Sequence, residues 1–85
     1  MKTPSYQQLT NWCDLHGITL TREAGGVRAV AYDRNQQIIT SIFSSANSAV
    51  KGKVNEAACA IHACDAIAES LLIVKPSIAF QLNSK

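Results

Sequence analysis

The sequence predicts an α+β domain: a three- to four-stranded antiparallel sheet packed by two helices, in the order α-β-β-β-α, with a C-terminal segment patterned as a further strand. Three observations carry that prediction. Between Ser48 and Val74, the residues Val50, Val54, Ala57, Ile61, Cys64, Ala68 and Leu71 recur at steps of three and four, which marks one face of a long helix. Lys51, Asn55, His62, Asp65 and Glu69 fall on its opposite side. Before it, residues 18–44 break into three short strand-like segments separated by turn residues. A shorter helical pattern precedes those strands.

Taken in order, Thr3 or Ser5 caps the first helix, and Pro4 stands near its first turn, where a missing N–H does no harm. Leu9, Trp12, Cys13 and His16 share one side, and Gly17 is the expected stop in the left-handed conformation. Ile18–Arg22 alternates as a first strand, and Gly25-Gly26 makes the turn. Val27–Tyr32 is the second strand, joined through Asp33-Arg34-Asn35-Gln36 to a third, Gln37–Ser44. Ser45–Ser48 links to the long helix, which Pro76 stops. Ile78, Phe80 and Leu82 then alternate with Ser77, Ala79 and Gln81, the pattern of a fourth strand or an extended arm.

Eighty-five residues make one domain, residues 1–85, near the lower limit for a self-sufficient core. An apolar content of 47% argues against general disorder, while a charged content of 16% is low and leaves a surface of Gln, Asn, Ser and Thr with some apolar area. The net charge of +2 supplies no basic stripe of the kind that phosphate neutralisation demands. Three cysteines without framework spacing, a polar N-terminus and no apolar run long enough to cross a membrane predict a reduced, cytoplasmic protein.

The strands carry the functional expectation. A sheet with one wet face should alternate apolar and polar residues, yet here both sides are apolar. Val27, Ala29 and Ala31 oppose Arg28, Val30 and Tyr32; Ile38, Thr40 and Ile42 oppose Ile39, Ser41 and Phe43. Either the C-terminal segment covers the second face or another chain does. The candidate interface residues are therefore Arg28, Val30, Tyr32, Ile39 and Phe43, with Phe80 on the C-terminal segment.

Motifs of chemistry are weak. Cys13/His16 and Cys59/His62 share a Cys-x-x-His spacing that places thiol and imidazole on one helical side, the donor set of a zinc site. Zinc ligands normally straddle a knuckle, however, and His62 falls on the polar face while Cys64 falls on the apolar one. Neither pair has an orienting third residue or an oxyanion hole for a cysteine nucleophile. Gly25-Gly26 lacks the spacing and lysine of a phosphate loop. The expectation is no metal, no cofactor and no catalysis. Lys51-Gly52-Lys53 near the start of the long helix forms a basic patch at a helix N-terminus.

The helix–strand–strand–strand–helix order, the run Leu9-Thr10-Asn11-Trp12-Cys13 followed by Gly17, and the lysines preceding Ala57-Ala58 together resemble the double-stranded RNA-binding domain. The resemblance implies groove contacts from Gln8 and Asn11 and phosphate contacts from Lys51 and Lys53. The sequence departs from that family in its first turn, where Ala24-Gly25-Gly26 replaces the Gly-Pro-x-His motif, and in its C-terminal continuation. The leading expectation is a small non-catalytic binding protein, comparable to bacterial or phage accessory and inhibitor proteins. It would act through protein–protein contacts and self-association as a homodimer. Binding of double-stranded RNA or another structured nucleic acid is the alternative.

Overall fold

The structure, a computed structural model, describes residues 4–45 and 56–83. Its elements are α1 (Tyr6–Leu15), β1 (Ile18–Glu23), β2 (Gly26–Tyr32), β3 (Ile38–Ser45), α2 (Glu56–Leu71) and α3 (Pro76–Asn83). The predicted α+β order holds through α2. The start of the predicted long helix, with Lys51 and Lys53, lies outside the described residues.

α1 begins at Ser5. The Gln8 N–H donates to Ser5 Oγ at 3.1 Å and the Ser5 N–H donates to Gln8 Oε1 at 2.9 Å, so two helix-end donors are satisfied reciprocally. Gly17 follows the helix at φ +69°, a left-handed backbone that glycine adopts without a Cβ clash. Its carbonyl accepts the Tyr32 N–H at 3.1 Å, tying the end of α1 to the end of β2.

The sheet order is β1-β2-β3, antiparallel throughout. Register places Ile18 opposite Ala31 and Leu20 opposite Ala29 on one side, and Thr40 opposite Ala31 and Ile42 opposite Ala29 on the other. Paired residues share a face, so these side chains and Val27 point toward the helices. The turn between β2 and β3 is organised by Asp33, whose Oδ1 accepts the N–H groups of Asn35 at 2.8 Å and Gln37 at 3.0 Å.

The core lies between this face and the helices: Leu9, Trp12 and Cys13 of α1, Ile18, Val27, Ala29 and Ala31 of the sheet, and Cys59, Ala60, Ala63, Cys64, Ile67 and Ala68 of α2. Small residues meet small residues where α2 crosses β2, which lets helix and sheet approach closely. The buried stripe of α2 is rotated from the predicted one. Ala57 and Ile61 are half-buried, while Ala60 and Ala63 are fully buried. Hydropathy patterning follows the large residues, but the fully buried stripe is mostly alanine and cysteine, with Ile67 its one large member; Ile61 and Leu71 pack at its margins.

α2 stops at Leu71, short of the predicted Val74. The Leu72 N–H donates to the Glu69 carbonyl at 3.2 Å and the Ile73 N–H to the Ala68 carbonyl at 3.0 Å, with Leu72 at φ +61°. This is a Schellman cap carrying leucine where glycine is usual. The predicted C-terminal strand is corrected to a helix, α3. Pro76 stands at its first position, where fixed φ suits a helix and no N–H is missed. The alternating Ile78, Phe80 and Leu82 mimicked a strand because a period of two and a helical period overlap over so few residues.

Candidate functional site

α3 packs chiefly on α2, on the helical side of the sheet, and the second face has no cover among the described residues. By register this face carries Thr19, Thr21 and Glu23 from β1, Arg28, Val30 and Tyr32 from β2, and Ile38, Ser41 and Phe43 from β3. Five of the six predicted interface residues belong here or at its edge.

Arg28 is the centre of the face. Its Nε donates to Glu23 Oε2 at 2.7 Å, Nη1 donates to Ser41 Oγ at 3.0 Å, and the guanidinium lies 5.3 Å from the Phe43 ring centroid. Three strands thus hold one cation in place, and the carboxylate of Glu23 neutralises it. Phe43 also reaches across Gly26, whose missing side chain leaves room for the ring. Val30 is buried even on this outer side, flanked at register by Thr19 and Ser41. Tyr32 is half-buried.

Alternation breaks at the start of β3. Ala31 pairs with Thr40 but Tyr32 pairs with Ile38, so Ile39 is an extra residue opposite that step. Such a bulge shifts the phase of the strand. It carries Ile38, which the sequence pattern assigned to the inner face, round to the outer one. Ile38 is 63% and Ile39 56% exposed, and Phe43 39%. Sequence reasoning missed Ile38 because nothing in Gln37-Ile38-Ile39 announces a bulge.

Phe80 stands apart. It sits on α3, half-buried against the core on the helical side, and contributes nothing to the open face. The nucleic-acid candidates are also divided. Gln8 and Asn11 are exposed on α1, but Gln8 closes the capping box and Asn11 Oδ1 accepts from Gln7 Nε2 at 3.1 Å. Lys51 and Lys53 lie outside the described residues.

The two Cys-x-x-His pairs split in the fold. Cys13 and Cys59 are buried, whereas His16 and His62 are exposed; the His16 ring lies 4.7 Å from that of Trp12. Cys13 meets Cys64 instead, Sγ to Sγ at 3.4 Å. Among the described residues, no three His, Cys, Asp or Glu side chains gather as metal ligands would. A shallow cleft of about 250 Å³ runs between the end of α1 and the β2–β3 turn, lined by Asp14, Thr19, Tyr32, Asp33 and Gln36. Two of its lining residues, Thr19 and Tyr32, stand on the outer face by register. No helix among the described residues is long and apolar enough to cross a membrane.

No protein-family model, curated protein or solved structure matches the chain.

Proposed function

We propose that this chain is a small non-catalytic binding domain of the accessory or inhibitor type, acting through protein–protein contacts on the open sheet face, and that its partner there is a second copy of itself. The observation that carries this reading is the docking of α3 on α2, which leaves Ile38, Ile39 and Phe43 exposed and without cover from the described residues. Apolar patches of this kind on a small protein mark contact surfaces.

Charge favours a like partner. Glu23 and Arg28, the charged residues that register places on this face, neutralise each other within one chain. The face therefore offers no field to attract an acidic or basic ligand and none to repel its own copy. β3 adds an eight-residue strand at the edge of the sheet, Ile38–Ser45, that holds no charge and no proline, the features that usually discourage pairing with another chain. A face of three short strands is a small interface, so association in the micromolar range is expected.

Sedimentation velocity over a concentration series tests the proposal. A shift from monomer to dimer through the micromolar range supports it; a monomer at high micromolar concentration overturns it. The duplex-RNA reading would rest on Gln8, Asn11, Lys51 and Lys53. Its signature is duplex binding that weakens steeply with added salt.

A further inference from the structure

Cys13 and Cys64 are both fully buried and unoxidised, and their sulfurs touch at 3.4 Å across the contact between α1 and α2. They lie 51 residues apart in sequence, so a bond between them would close most of the domain into a loop. A disulfide needs the sulfurs about 1.4 Å nearer, at ~2.04 Å, a movement of the size that side-chain torsions and slight helix sliding supply. Cys59, in contrast, points toward the Ser45 carbonyl at 3.9 Å. It has no thiol partner among the described residues.

We propose that Cys13 and Cys64 are a redox clasp: a low-molecular-weight disulfide converts them to a Cys13–Cys64 disulfide that fastens α1 to α2. In the first step one protein thiolate attacks the small disulfide, forming a mixed disulfide and releasing one small thiol. In the second, the other protein thiolate attacks the protein-side sulfur, closing the Cys13–Cys64 bond and releasing a second small thiol. The protein loses two electrons and two protons, and the small disulfide gains them.

The closed fold resists the first step because both sulfurs are fully buried, out of reach of a small disulfide, and burial and contact with Cys13 also hold Cys64 protonated. Reaction therefore proceeds when α1 lifts from α2, and reclosing brings the second sulfur onto the mixed disulfide. The clasp lies on the helical side, away from Arg28, Ile39 and Phe43, so it acts on stability and leaves the outer face as it is.

The test uses the full chain incubated with oxidised glutathione, followed by alkylation under denaturing conditions, intact mass, peptide mapping and thermal melting. The expected product has one alkylatable thiol, on Cys59, no retained glutathione, and a Cys13–Cys64 cross-linked peptide. Its melting temperature rises by roughly 10 °C or more, and a reducing agent reverses the rise. A Cys59→Ser variant should form the same Cys13–Cys64 bond with the same rise in melting temperature and no alkylatable thiol left. Three alkylatable thiols after prolonged exposure, a persistent glutathione adduct on Cys13 or Cys64, or a Cys59–Cys64 bond in the map would each overturn the proposal. These readouts are independent of sedimentation, so the clasp and the self-association stand or fall separately.

Discussion

The Asp65 side chain on α2 accepts the backbone N–H of Ser77 at 3.1 Å, so a carboxylate of one helix caps the start of the next. Lys75 reinforces the corner by pairing with Glu69 at 3.1 Å. Free N–H groups at a helix start attract an acceptor, and a carboxylate also suits the positive end of the helix dipole. This contact fixes α3 against α2, and that placement is what leaves the sheet open. Asp65→Ala should cost about 1 kcal/mol and speed amide exchange in the first turn of α3. Asp65→Asn, which keeps an acceptor oxygen, should lose less. Unchanged exchange at Ser77 and Ile78 in the alanine variant would show that the cap does not hold the helix.

Gly26 should tolerate no side chain. A Cβ there would collide with the Ser44 carbonyl oxygen and come within 2.9 Å of Phe43 Cζ. The carbonyl is ladder backbone and cannot step aside. Gly26→Ala should destabilise by about 3 kcal/mol or more in urea unfolding, at the upper end of overpacking effects.

Leu72 is an opportunity in the other direction. It is 92% exposed at φ +61°, so it bears left-handed strain while burying almost nothing. Leu72→Gly should stabilise by about 0.5–1 kcal/mol, the relief of strain outweighing the added freedom of the unfolded chain. Thermal melting measures the gain directly.

Ile39→Lys should fold normally, since Ile39 is 56% exposed, yet weaken self-association at least tenfold by placing a charge at the contact. Leu15→Lys is the control: Leu15 is 82% exposed at the end of α1, off the sheet face, and its replacement should leave the association constant unchanged. Equal effects from both variants would point to general charge repulsion.

Stability should fall in alkali. Contact with Cys13 and burial push the Cys64 thiol well above the ordinary thiol range, so the folded chain keeps a proton that the unfolded chain releases above about pH 8.5. The unfolded state then binds fewer protons. The contribution is complete below about pH 8.5 and declines above it by about 1.4 kcal/mol per pH unit. Urea unfolding from about pH 8 to about pH 10 should show stability falling ever more steeply towards this slope, and Cys64→Ala should flatten the fall.

Much of the architecture was legible in local pattern. Gly17 marks the end of α1, Ser5 is one of two cap candidates at its start, and the turn residues Gly25-Gly26 and Asp33–Gln36 divide the strands. The open face was legible as a conflict, since Val30, Tyr32 and Phe43 are too apolar for a wet surface. Less was legible where partners are distant. The Cys13–Cys64 contact spans 51 residues, and the pairing of those two cysteines rather than each with its nearby histidine depends on how α1 packs against α2.

By itself the sequence determined the element order from α1 to α2, the two-sided apolar sheet and the glycine stop of α1, because these depend on residues within a turn or two of one another. Tertiary structure decided the rest. It made residues 76–83 a helix capped by Asp65, turned α2 onto Ala60, Ala63 and Ile67, and moved Ile38 to the outer face through a one-residue bulge. Each of those outcomes balances a weak local preference against packing and hydrogen bonds from elsewhere in the chain, and over such short segments the distant terms win.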